Sequence, residues 1–290
     1  MMWNNYADGR VTHYDATVAR DPDTGIIAGG APRVLGPAGS DRAVLFVHGF
    51  GGTPNNFADL PDQVAAAGWR VHAPLLPGHG TSPRDFEKTT TAELEQAVRE
   101  ELAALSEQYE TVVLLGHSMG GALATLVAAD APGLDGLILM APYYRITYQW
   151  YYILRPETWA GMLSPLLRWI YRSDAMQPVN RIEAREKIVS YSWIPTRAAR
   201  TAMILAAKAE REQVLRDISA PVLLIHSRRD TVTDPRASEA AFELIGTENK
   251  RAVWLSTSNH IVFWDFERDR VAREVLGFLE EVARGRVQKQ

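Results

Sequence analysis

The chain has 290 residues, 46% hydrophobic and 23% charged, with 31 Lys+Arg against 35 Asp+Glu and no cysteine. That composition excludes a disordered chain, a disulfide scaffold and a basic nucleic-acid binder. No run reaches the roughly 18 apolar residues of a membrane span.

Residues 1–42 are polar and turn-rich. The start, Met1-Met2-Trp3-Asn4-Asn5-Tyr6, lacks the basic and apolar regions of a signal peptide, so a cytoplasmic location is expected. Val11–Val18 alternates enough to suggest a strand, and turn residues follow at Pro22-Asp23-Thr24-Gly25. From Ala43 the pattern becomes regular. Apolar strands are predicted at 43–47, 69–73, 111–115, 134–140, 221–226 and 251–255. Helices are predicted at 61–67, at 92–109 with Thr91 as N-cap, at 121–129 and at 269–283. Strands apolar on both faces and alternating with helices imply a parallel sheet covered on both sides, an α/β fold.

Residues 143–193 break the alternation. They hold seven Tyr and four Trp and are cut by prolines, which suggests a helical insertion continuing to Asp217. The expected division is 1–142 and 218–290 as the two parts of a core, with 143–217 as a cap. The aromatics suit either the packing of the cap itself or the lining of an apolar pocket. The run Trp150-Tyr151-Tyr152-Ile153-Leu154 is expected to pack within the cap, and an exposed membrane-binding stripe is the alternative.

Gly116-His117-Ser118-Met119-Gly120 matches G-x-S-x-G directly after a predicted strand and before a helix. That setting lifts a serine hydroxyl above the strand ends, at a helix N-terminus that favours negative charge. A serine hydroxyl needs a base, and the base needs an orienting carboxylate. Of the seven histidines, His260 lies in a loop after strand 251–255, at the edge where open α/β sheets place their sites. Asp230 follows strand 221–226, and Asp234 and Asp265 are its rivals. The order Ser118, Asp230, His260 suits this architecture. Oxyanion donors are expected from the Met119 N–H and from the loop His48-Gly49-Phe50-Gly51-Gly52, through the Phe50 N–H or, alternatively, that of Gly51. A dinucleotide loop is excluded because Pro54 stands where a third glycine is required. His72 and His79 have no acidic or Cys partner at metal-ligand spacing and suit structural roles.

These stretches, with Leu76-Pro77-Gly78-His79-Gly80-Thr81 and Asp230-Thr231-Val232, resemble the α/β-hydrolase superfamily, and within it the bacterial carboxylesterases and monoacylglycerol lipases. The resemblance covers about 43–142 and 195–283. It implies a Ser118–Asp230–His260 triad with an oxyanion hole of Phe50 and Met119 N–H groups. It also implies acyl-enzyme hydrolysis of short- to medium-chain acyl esters, monoacylglycerols among them, with no metal or organic cofactor. The partner is then a small-molecule ester, with no nucleic acid and no membrane contact expected. Amidases, carbon–carbon bond hydrolases and perhydrolases keep the same triad, and a low-turnover ligand receptor is the alternative outside enzymes. Ser118 speaks against the haloalkane dehalogenases and epoxide hydrolases, which use an Asp nucleophile. The stretch 1–42 is longer than this family usually has before its first core strand.

Overall fold

The computed structural model describes residues 2–147 and 166–287. Seven strands form one sheet in the order β1 (Arg33–Leu35), β3 (Arg70–Ala73), β2 (Arg42–Val47), β4 (Thr111–His117), β5 (Gly136–Met140), β8 (Val222–Ser227) and β9 (Lys250–Leu255). All neighbours are parallel except β1, which runs antiparallel on β3 at the edge. A separate two-stranded ribbon pairs β6 (Trp169–Tyr171) with β7 (Trp193–Pro195).

The apolar strands are explained by what covers each face. On β4, Val112 and Leu114 face the helices at 91–108 and 119–129, whereas Val113 and Leu115 face those at 60–66 and 268–287. Successive side chains point to opposite faces, so both sets must be apolar when both faces are covered. Full burial of each such side chain contributes about 1.5–3 kcal/mol.

The expected strand at Val11–Val18 does not form; residues Met2–Thr17 are helical. The governing period is four rather than two: Ala7 and Val11 share one helical face and are fully buried against Trp169 and Trp193. Thr12 and Thr17 return their hydroxyls to carbonyls four residues earlier, which accommodates them in the helix. Trp169 Nε1 donates to Asp8, and Arg168 binds both Asp8 and Glu87. The residues preceding the sheet therefore clamp the ribbon between β5 and β8.

The N-cap of helix Thr91–Gln108 is Thr90, not Thr91. Thr90 accepts the Glu93 N–H and Glu93 accepts the Thr90 N–H, a reciprocal pair that Thr91 could not make. Helices at Pro83–Lys88 and Pro235–Leu244 add to the expected set, and the helix Thr196–Ala209 falls within the stretch expected to be helical up to Asp217. Between 143 and 217 the described residues combine helix with the β6–β7 ribbon, and the run Trp150–Leu154 lies outside the described residues.

Candidate active site

β4 ends at His117, and the helix Met119–Ala129 begins two residues later. Ser118 makes the turn at φ 56° and ψ −120°, a conformation that costs a non-glycine residue about 1–3 kcal/mol. The turn is held by Ser118 N–H on the Met140 carbonyl at 3.0 Å and Tyr143 N–H on the Ser118 carbonyl at 2.9 Å. Glycine is required on both sides of it. A Cβ on Gly116 would sit 2.2 Å from the Gly120 carbonyl oxygen, and one on Gly120 2.1 Å from that of Val47.

The structure brings Ser118, His260 and Asp230 together. His260 Nε2 lies 2.8 Å from Ser118 Oγ, and His260 Nδ1 lies 2.7 Å from Asp230 Oδ2. All three side chains are buried, with Ser118 7% exposed. The His260 loop is held from several directions. The His260 N–H donates to the Pro178 carbonyl, and its own carbonyl accepts from His117 Nε2 at 3.2 Å. Asp265 accepts the N–H groups of Asn259, Asn180 and Arg181. Asp265 is thus a staple for the loop, and Asp234 is the N-cap of helix Pro235–Leu244; His260 is bonded to neither.

Asp230 takes five donors. Oδ1 accepts the N–H groups of Val232 and Thr233 at 2.7 and 2.9 Å. Oδ2 accepts from His260 Nδ1, from His226 Nε2 at 3.0 Å and from Thr233 Oγ1 at 2.9 Å. Burial works to raise the carboxyl, but His260 and His226 beside it hold it well below the usual carboxylate range. His226 and Thr233 were not singled out from the sequence. The signal was the i, i+4 spacing of His226 and Asp230 across a strand end, which acquires meaning only once the turn between them is known. His117, directly before Ser118, is fully buried and burial pushes it down to about 3. It therefore stays neutral, with Nε2 as the donor to the His260 carbonyl and Nδ1 bare.

Among the described residues, the N–H groups of Phe50, Gly51 and Met119 are given to no acceptor. Phe50 lines the cavity of about 90 Å³ beside Ser118, and Gly51 does not. Other walls of that cavity are His117, His260, Arg172, Gln177 and Ser190. A larger cleft of about 560 Å³ lies among Leu134, Pro221 and Phe278 near the opposite end of the sheet, away from Ser118. The described aromatics of 143–193 mostly serve packing. Tyr191 bridges Gly78 and Thr81, Tyr144 meets Thr125, and Trp169 and Trp193 hold the first helix.

Three of the remaining histidines have other partners. His48 accepts the Leu76 N–H, His72 faces Tyr109 and Glu101, and His79 meets the Pro77 carbonyl.

The family model described as serine aminopeptidase, S33, matches residues 38–269. The chain is 31% identical over 248 residues to a thermostable monoacylglycerol lipase of Bacillus sp. (strain H-257), covering 86% of this chain and 92% of that one. It is 26% identical over 245 residues to a carboxylesterase of Bacillus subtilis (strain 168), covering 84% and 94%. Among solved structures, a metagenome-derived lipolytic enzyme of the LipS and LipT study superimposes with a TM-score of 0.76 at 26% identity, covering 88% of this chain and 99% of that one. The chain belongs to the serine aminopeptidase S33 family and is a serine hydrolase of the α/β-hydrolase fold, similar to carboxylesterases and monoacylglycerol lipases.

Proposed function

We propose that this member of the S33 family hydrolyses carboxylic esters of short- to medium-chain acids, the class to which monoacylglycerols belong, through an acyl-enzyme on Ser118. The observation that carries this reading is the continuous path from Ser118 Oγ through His260 to Asp230, at 2.8 and 2.7 Å. His260 Nε2 takes the Ser118 proton as Oγ attacks the ester carbonyl carbon. Negative charge then develops on the carbonyl oxygen and is met by the Phe50 and Met119 N–H groups; each such donor is worth about 10²–10³ in rate. His260 returns the proton to the departing alkoxide, and the acyl group stays on Ser118. Water gives a proton to His260 and attacks the acyl carbon. The proton passes back to Ser118 Oγ, and the acid leaves. Asp230 keeps Nδ1–H directed at itself, so that Nε2 remains the basic nitrogen.

In this reading residues 143–217 form the cap, and residues 1–142 and 218–290 form the catalytic core. The test is hydrolysis of p-nitrophenyl esters with acyl chains from two to sixteen carbons, with the matching anilides as amide controls. Turnover of esters with an optimum in the shorter half, abolished by Ser118→Ala, is expected. Anilides hydrolysed faster than esters would move the protein to amide chemistry, and no turnover by folded protein would refute the reading.

A further inference from the structure

One wall of the Ser118 cavity carries a charge that the hydrolytic steps above do not use. Arg172 follows β6 directly, and its N–H donates to the Ser192 carbonyl at 2.7 Å, which fixes its backbone to the ribbon. Its Nη2 donates to Ser190 Oγ at 3.0 Å and to the Tyr191 carbonyl at 3.3 Å. Its Nε is buried and has no hydrogen-bond partner. Among the described residues it forms no ion pair, the nearest acid influence being that of the exposed Asp174. Burial works against the charge, which an arginine cannot shed. A guanidinium held in this way leaves unspent attraction for an anion, because its own hydrogen bonds go to neutral groups.

Ser190 adds a second donor. Its Oγ already accepts from Arg172 Nη2 and from Gln177 Nε2 at 2.7 Å, and its own proton is given to no acceptor among the described residues. Arg172, Ser190 and Ser118 all line the same cavity of about 90 Å³. A reacting ester in that cavity therefore lies within a few atoms of this wall.

We propose that Arg172, with the Ser190 hydroxyl, is an anion subsite, and that the preferred ester carries a carboxylate or equivalent anion near the bond that is cleaved. The proposal rests on the ester-hydrolase reading and narrows its substrate class. The subsite binds the anion and takes no part in the proton transfers. The anion sits on the acyl side or on the alcohol side of the ester, and the assay separates these sources.

The experiment is calorimetric titration of the Ser118→Ala protein, which cannot turn the ligands over. Monomethyl glutarate carries the anion on the acyl side and is compared with dimethyl glutarate. Butyryloxyacetate carries it on the alcohol side and is compared with its methyl ester. A charge-assisted pair in this setting predicts binding about tenfold or more tighter for one anionic ester than for its neutral counterpart. Arg172→Gln on the same background should bring that ratio near one, and Arg172→Lys should keep part of it. Equal binding within each pair, or no binding by either anionic ester, overturns the proposal without needing an Arg172 variant to fold. Wild-type turnover of the four esters is measured alongside. Hydrolysis of the neutral esters with no anion preference refutes the subsite alone, whereas hydrolysis of none refutes the parent reading.

Discussion

Replacing Asp230 by asparagine isolates the carboxylate's contribution, because shape is kept and only charge and one acceptor are lost. Oδ1 serves two backbone N–H groups and Oδ2 serves three donors, from His260, His226 and Thr233. An asparagine oxygen retained for Val232 and Thr233 places its NH₂ against all three of the others. His260 can relieve that conflict only by moving its proton from Nδ1 to Nε2. In that tautomer it donates to Ser118 Oγ and no longer accepts from it, so general-base catalysis is lost. The expected fall in kcat is about 10⁴-fold, or roughly 5.5 kcal/mol of barrier, the size found where a triad histidine is held in the wrong tautomer. Folding stability should fall less, by about 1–3 kcal/mol for the donors left unmatched. Initial rates on p-nitrophenyl butyrate, with melting temperature as the folding control, measure both. Asp234→Asn is the matched control: it touches a helix cap and should leave kcat within about twofold, at a stability cost below about 1 kcal/mol. A loss under about tenfold in Asp230→Asn, or an equal loss in Asp234→Asn, would refute the assignment.

His226→Leu removes one of three donors to Asp230 Oδ2, and the buried His226 Nδ1 has no partner to lose. We expect kcat to fall about tenfold with stability changed by under about 1 kcal/mol, read from rates and urea unfolding; lost stability at unchanged kcat would make His226 merely structural. Lowering the pH should destabilise the fold through His79 and His117. Burial depresses them from 6.5 to about 4 and about 3, so the unfolded chain binds protons that the folded one refuses. Their contribution is complete above pH 6.5 and is lost as pH falls toward 4, on the order of 3 kcal/mol from His79 alone. Urea midpoints across that range in wild type and His79→Asn test this, the variant falling less steeply. Thr90→Ala breaks the capping box of helix Thr91–Gln108 and should cost about 1 kcal/mol with no change in kcat.

The site was legible where local chemistry constrains it. Of the two glycines around Ser118, Gly116 answers to a contact of 2.2 Å made within the strand–turn–helix itself and Gly120 to one of 2.1 Å from Val47 at the end of the neighbouring strand, so close packing around the turn writes both into the pattern. The sheet was legible for a related reason. The middle of a strand buried on both faces favours apolar residues on each, and β4 reads as Val-Val-Leu-Leu between Thr111 and its glycine. The first helix was not legible, because Ala7 and Val11 are apolar positions only by virtue of Trp169 and Trp193, more than 150 residues away. Thr90 rather than the expected Thr91 is the N-cap because Glu93, three residues after Thr90, specifies it. His226 and Arg172 were less legible because His226 meets Asp230 only through the turn that follows β8, and Arg172 meets Ser190 only across the β6–β7 ribbon.

The central claim is that a covalent ester forms on Ser118, and mass spectrometry of acid-quenched enzyme tests it most directly. Wild type mixed with p-nitrophenyl butyrate should carry one butyryl group, mapped to the peptide that contains Ser118. It should also release p-nitrophenol in a burst equal to the enzyme present. Ser118→Ala should show neither adduct nor burst. An adduct on another residue, or undiminished turnover by folded Ser118→Ala, would contradict the account.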